Sequence, residues 1–449
     1  MTPTSHDAPS ALATDLYQLT MLQAYLREGM TAPAVFSLFF RSLPNCRNFA
    51  LACGLDAVLA YLEGLRFDAD ALGWLANQRL FHDEFLRWLE GFRFRGDVFA
   101  MAEGTPVFPN EPLLEVVASL PEAQLVETLV LNRTHVQTVL ASKAVRVVTA
   151  ACGRQVVDFG MRRMHGTDAA LEGARAFFVA GVAGTSNVLA AKLYGIPAVG
   201  TMAHSYIQAH DSELAAFQSF TALYPETTLL VDTYDTLTGL DHVIALARDL
   251  GSEFRVRGVR LDSGDLGALA KAARARLDGA GLERVEIFAS GNLDEDRIAA
   301  LVEGGAPIDA FGVGTRMGVS EDAPDLDLVY KLVDYAGQGR LKTSPRKELL
   351  PGRKQVFRLE KEGVATHDVL ARADEKLPGR PLLEIVMANG QRLPAGCRTA
   401  AQARTRAAEE IPRLPGRVRG LEPAEPAYRV ELSRALRAYA AQVRTRVAG

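Results

Sequence analysis

Two adjacent arginines, Arg162 and Arg163, follow the run VVDFG from Val156 to Gly160. An apolar pair ending abruptly in Asp158, Phe159 and Gly160 is how a buried parallel strand looks where it leaves the core and delivers polar groups to a ligand. Paired guanidinium groups are costly to desolvate, and a carboxylate or phosphate meets them in bidentate geometry, so an anion is the natural partner. For an isolated Arg-Arg pair a solvated turn would be the better reading; downstream motifs change that. ASGNLDE (Ala289 to Glu295) and FGVGTRMG (Phe311 to Gly318) are Gly-containing loops of the kind whose N–H groups close around a phosphate. They present Ser290, Gly291, Asn292, Gly312, Gly314, Thr315 and Arg316. Either loop alone is weak, since glycine also simply turns a chain, but two in succession point to a phosphate ester.

RLDSGDL (Arg260 to Leu266) gathers Asp262, Ser263, Gly264 and Asp265. Such a loop can accept hydrogen bonds from ribose hydroxyls or hold a magnesium-bound diphosphate. The plainer reading is a turn with Asp265 as N-cap of the next helix, and both hold if Asp262 acts while Asp265 caps. GTMAHSY (Gly200 to Tyr206) carries Thr201, His204 and Ser205. His204 is a nucleophile toward phosphate, a general base or a hydrogen-bonded core residue. Its place on the phosphate-binding face favours function, with His165 and His210 as rivals.

These residues need a scaffold that brings them together. From Gln155 onward, strand-like runs (QVVDF, VAGT, IPAVG, TTLLVDT, RVRGVRLDS, VEIFASG, IDAFGVG) alternate with helix-like stretches, which implies a parallel sheet with helical crossovers. Roughly six or seven such units suit a closed or nearly closed β/α barrel, and the polar residues fall just after the strands, on the face where barrel active sites are built. The expected architecture is α/β: an irregular β/α barrel over 151–317 plus an α+β sandwich domain built from N-terminal and post-barrel segments. That domain takes in 1–150 and is completed by about 318–360; 361–449 is expected as a helical or irregular extension. TDLYQLTMLQAYLREGM (Thr14 to Met30) reads as a helix capped by Thr14, with Leu16, Leu19, Leu22 and Leu26 in phase and Tyr17 a half-buried core aromatic. DLVYKLVDYAG reads as an edge strand, and PAYRVELSRALRAYAAQVRTR as a solvated amphipathic surface helix.

The 449 residues suit two or three domains, and 48% hydrophobic with 23% charged residues is ordinary for a globular protein. A formal net charge of −4 gives no global attraction for nucleic acid or an anionic membrane, so an anion site must be local. Cys46, Cys53, Cys152 and Cys397 form no CxxC pair, which suits a reducing cytosol. The N-terminal residues show neither a basic nor an apolar signal region, and no run reaches membrane-spanning length.

Together TDLYQLTM, EGTPVFPNEPLLEV, DFGMRR, AGTSN, GTMAHS, RLDSGDL, ASGNLDE and FGVGTR, in this order over roughly Thr14 to Arg358, resemble the nicotinate phosphoribosyltransferase family of type II phosphoribosyltransferases. TTLLVDTYDTLTG resembles instead the type I phosphoribosyltransferase signature, but Thr233 interrupts its acid pair and it is read as a decoy. The resemblance implies synthesis of nicotinate mononucleotide from nicotinate and phosphoribosyl diphosphate with Mg²⁺, driven by ATP through a phosphohistidine at His204. It also implies a homodimer with the active site at the interface, where Tyr17 stacks on nicotinate from the neighbouring subunit. Arg162, Arg163, Ser186, Thr201, Ser205, Arg260, Arg316 and the loop residues above would bind substrates, and Asp262 would favour developing positive charge. Two departures stand out: His165, where the family commonly has Gln, and Glu348, where relatives often have a hydroxyl residue. The nicotinamide-using relatives tend to have RG in place of Arg162–Arg163 and Asp in place of Ser186. Quinolinate phosphoribosyltransferase is a shorter chain without the histidine step, and a non-catalytic nucleotide-binding protein would be expected to lose the Asp or the His.

Overall fold

The structure is a computed structural model that describes residues 10–344 and 349–448. Glu348 lies outside the described residues, and so does the expectation attached to it. The chain divides into two compact units, one formed by the described residues up to Ser142 together with those from Asp325 on, the other by Lys143–Pro324.

The second unit carries a six-stranded sheet, in spatial order Gly184–Thr185, Gln155–Asp158, Ala310–Val313, Glu286–Ser290, Gly258–Leu261 and Thr228–Leu230. All pairs are parallel. Val157, Val259, Ile287, Phe311 and Leu229 are buried, and helices such as Leu266–Gly279 and Glu295–Glu303 return the chain between strands. The fold is therefore the expected irregular α/β barrel, but an open half-barrel rather than a nearly closed one. IPAVG contributes a single bridge, Ala198 to Thr185, and among the described residues the two outermost strands do not pair.

The first unit is α+β. Its seven-stranded sheet runs Gln338–Gly339, Leu328–Tyr335, Pro33–Phe40, Leu114–Ser119, Asp97–Met101, Leu383–Ala388 and Gln391–Arg392. Leu328–Tyr335 is thus not an edge strand: Pro33–Phe40 flanks one side and the two-residue strand after its own turn the other. Residues 361–449 depart further from expectation. Alongside helices they supply Val364–Arg372, Leu383–Ala388 and Val430–Leu432, strands whose apolar alternation is broken by a buried charge, Asp368, and an exposed apolar residue, Ile385. The last helix, Arg434–Ala448, buries Leu436 and Val443, and its Tyr439 hydroxyl accepts the Gly339 N–H at 3.0 Å, so one face is packed rather than solvated.

A buried ion pair ties these segments together. Arg358 meets Asp368 in bidentate geometry, Nε–Oδ1 3.0 Å and Nη2–Oδ2 2.7 Å, with the two side chains 1% and 0% exposed. Tyr428 donates to Asp368 at 2.8 Å and Arg358 donates to the Pro106 carbonyl at 2.9 Å. Burial, then the neighbouring Asp368, pushes the Glu111 carboxyl well up, while Arg358 and the Phe108 N–H oppose that rise. Asp368→Ala, which removes the bidentate partner of Arg358 and leaves it, among the described residues, only Glu410 at 3.9 Å as an ion-pair partner, is expected to cost about 3 kcal/mol in urea unfolding.

Candidate active site

Every strand of the half-barrel ends on the same edge, and the polar residues gather there around Arg260. Its Nε donates to Ser290 Oγ at 2.8 Å, Nη1 to Thr201 Oγ1 at 3.0 Å and Nη2 to Asp262 Oδ1 at 2.7 Å. Its guanidinium carbon lies 5.3 Å from the centroid of Phe159. Ser290 donates in turn to Asp262. Burial alone would push the Asp262 carboxyl up, but the Ser290 hydroxyl, Arg260 and His204 outweigh it and hold it below its ordinary value of 3.8.

The acidic loop is fixed from beneath. Asp232 Oδ2 accepts the Asp262 N–H at 3.0 Å and the Ser263 hydroxyl at 2.6 Å. Asp265 accepts the Ala268 N–H at 3.0 Å and caps the helix Leu266–Gly279, so Asp262 and Asp265 divide the acting and capping parts. Asp235, the second acid of the decoy motif, is likewise an N-cap. His204 opens the short helix His204–Gln208; its Nδ1 is 3.1 Å from Thr233 Oγ1 and its Nε2 3.8 Å from Asp262 Oδ2. Gly291 adopts φ +97°, and a Cβ there would stand 2.0 Å from the Asp262 carbonyl, so the close approach of the two loops requires glycine.

A cleft of about 1130 Å³ opens over these groups. Its lining takes in Arg162, Arg163, Arg260, Asp262, Ser263, Gly264, Asp265, Ser290, Gly291, Asn292, Gly312, Gly314 and Thr315, the bulk of the residues singled out from sequence. Thr201 and His204 join through Arg260 and Asp262. Ser186 does not line the cleft; its N–H is held by the Asp158 carbonyl at 2.9 Å, two residues before Gly160 and the arginine turn. Others stand apart. Arg316 does not line the cleft: it pairs with Asp294, and with Glu321 at 3.2 Å. Ser205 and His165 are exposed, and His210 turns its Nδ1 to the Tyr206 carbonyl at 2.8 Å. Tyr17 belongs to the other unit and is 48% exposed, as Leu16 is 55%, so the core reading of both fails. Asp15, not Thr14, is the N-cap residue there.

Sequence reasoning missed Phe159, Lys271 and Arg297, which also line the cleft, and Thr233, which faces His204. Phe159 sat inside a recognised motif; the two cations lie on helices and gave no signal. Among the described residues, no group of three or more His, Cys, Asp or Glu is placed to hold a metal ion.

Residues 12–135 match the nicotinate phosphoribosyltransferase (NAPRTase) N-terminal domain, and 154–335 the nicotinate phosphoribosyltransferase (NAPRTase) family. A nicotinate phosphoribosyltransferase of Mycobacterium tuberculosis is 57% identical over 94% of this chain and 91% of its own. The chain belongs to the nicotinate phosphoribosyltransferase family. A Bacillus subtilis nicotinate phosphoribosyltransferase is 42% identical over 79% of this chain and 74% of its own. Human nicotinic acid phosphoribosyltransferase superposes with a TM-score of 0.83 at 30% identity, covering 96% of this chain and 99% of that one. Nicotinate-nucleotide pyrophosphorylase from Pyrococcus furiosus gives 0.74 at 27%, covering 91% and 97%. The motif order from TDLYQLTM to FGVGTR thus reflects family membership.

A depressed carboxyl contributes stability that is present above its unfolded pKa and lost as pH falls through the folded one. For Asp262 the window lies below about pH 4. There the Tm of the wild-type protein should fall more steeply than that of Asp262→Asn; parallel Tm curves would show that Asp262 is not held ionised.

Proposed function

We propose that the chain transfers the phosphoribosyl group of phosphoribosyl diphosphate to nicotinate, giving nicotinate mononucleotide and diphosphate in NAD salvage in the cytosol. The observation that carries this reading is the meeting of Arg162, Arg163 and Arg260, one acidic loop and two Gly-containing loops on a single cleft. Family membership and the 57% identical relative support the choice of base.

The pyridine nitrogen of nicotinate bonds to ribose C1′ as the C1′–O bond to diphosphate breaks, the electron pair leaving with the diphosphate. The transition state is oxocarbenium-like, so catalysis rests on positioning and on stabilising separated charge. Asp262, ionised and next to the ribose, favours the positive centre. Asp262 would be available to the shell of a Mg²⁺ bound with the diphosphate, which would supply charge neutralisation of the leaving group. The loops Ser290 to Asn292 and Gly312 to Thr315 hold the 5′-phosphate by backbone N–H groups, and Phe159 offers an aromatic face to the base. Arg162 and Arg163 divide the nicotinate carboxylate and a phosphate between them.

ATP enters as co-substrate. Its γ-phosphoryl passes to a ring nitrogen of His204, ADP leaving, and later hydrolysis of the phosphohistidine releases phosphate. The Thr233 hydroxyl orients the ring, and Asp262 stabilises it as it becomes cationic. Exposed Tyr17 suits a homodimer in which the partner subunit's Tyr17 covers the base.

Labelling with ³²P from ATP should disappear in His204→Ala, together with the stimulation of turnover by ATP. Label that survives there but vanishes in His165→Ala would move the site. A product assay with nicotinate, nicotinamide and quinolinate, each with and without ATP, should give a strong preference for nicotinate; comparable kcat/KM for nicotinamide would refute the carboxylate reading of the arginines.

A further inference from the structure

One buried carboxylate in the half-barrel takes no part in the chemistry above. Asp158 ends the strand Gln155–Asp158, is 1% exposed, and has no cation within ion-pair distance among the described residues. A lone carboxylate out of water is costly, so its surroundings must hold it for a reason. Its Oδ1 accepts the Gly160 N–H at 2.7 Å, and its Oδ2 accepts the Thr185 hydroxyl at 2.7 Å. Its own carbonyl takes the Ser186 N–H at 2.9 Å. Thr185, equally buried, accepts the Asn187 N–H at 3.1 Å, and Asn187 caps the helix Val188–Tyr194.

The donors come from two loops. Gly160 precedes the single turn Met161–Arg163, which projects Arg162 and Arg163 and closes with the Arg163 N–H on the Gly160 carbonyl at 2.8 Å. Thr185, Ser186 and Asn187 form the loop after the neighbouring strand. A single side chain therefore sets the separation between the arginine turn and the Ser186 loop. Burial raises the Asp158 carboxyl, and the Thr185 hydroxyl and Gly160 N–H oppose that rise, so these two bonds are also what keep an anion tolerable there.

We infer that Asp158 and Thr185 are positioning residues for base selection: they set the spacing between the Ser186 loop and the turn whose carboxylate-binding arginine, one of Arg162 and Arg163, accepts a carboxylate-bearing pyridine and discriminates against its neutral amide. The inference rests on the proposed nicotinate reading. Loose packing, or a displaced phosphate-binding arginine, would slow both bases alike, whereas a misplaced carboxylate-binding guanidinium loses the charged base selectively.

The test compares kcat/KM for nicotinate and for nicotinamide, with Tm, in the wild-type protein and in Thr185→Val, Thr185→Ser and Asp158→Asn. Thr185→Val keeps the volume but loses the donor to a charged acceptor, and the nicotinate-to-nicotinamide ratio should fall about tenfold. Thr185→Ser should restore it. Asp158→Asn, which keeps the shape, should lower the ratio severalfold and serves alone if Thr185→Val does not fold. A ratio unchanged while both efficiencies drop together would overturn the inference. Equal efficiencies in the wild-type protein would overturn the nicotinate reading itself, and this inference with it.

Discussion

A guanidinium taken nearly out of water has to be surrounded by acceptors, and the second unit is arranged around one. The Arg260 side chain is 12% exposed, and its acceptors come from different strand ends: Thr201 from the stretch before His204, Asp262 from its own strand, Ser290 from the next. Phe159, from a fourth, offers it an aromatic face. One cation thus ties four loops whose sequences are far apart. The cost of desolvating Arg260 is offset only while all of them stay in place, so the cleft is built as a unit rather than loop by loop.

Much of this was legible because the chemistry sits in short polar motifs immediately after apolar runs. Arg162, Asp262, Ser290 and Gly314 could be placed on one face without knowing any contact. What failed did so for identifiable reasons. Helical phase puts Tyr17 and Leu16 on a stripe but cannot say whether anything covers that stripe. Phe159 was invisible as a site residue because, one position past the end of a strand buried on both faces, an apolar ring reads as a continuation of the core run. Arg316 looked available, yet the acid that holds it, Asp294, stands in a neighbouring motif read only for Ser290, Gly291 and Asn292. The strands after residue 361 were masked because a charge, Asp368, faces inward and an apolar residue, Ile385, faces outward.

Net charge proved a poor guide to the cleft. The chain carries −4 overall, but the lining pairs Arg162, Arg163, Arg260, Lys271 and Arg297 with only Asp262 and Asp265. Both acids are already engaged, one by Arg260 and Ser290, the other by a helix N-terminus. The local potential is therefore positive inside a molecule that repels anions at a distance, which concentrates selectivity at the mouth of the site.

The strand order of the first unit has a consequence for how the polypeptide is made. Pro33–Phe40, Leu114–Ser119 and Asp97–Met101 form the middle of the sheet, and both flanks are supplied from the far end of the chain, by Leu328–Tyr335 and Leu383–Ala388. During synthesis those three apolar strands emerge first and wait with two open edges, while Lys143–Pro324, an unbroken stretch, emerges and can assemble its own sheet. Translation order and assembly order run opposite to one another. The nascent chain therefore spends most of its elongation with two unpaired apolar sheet edges, the condition under which strands are most prone to pair with other chains.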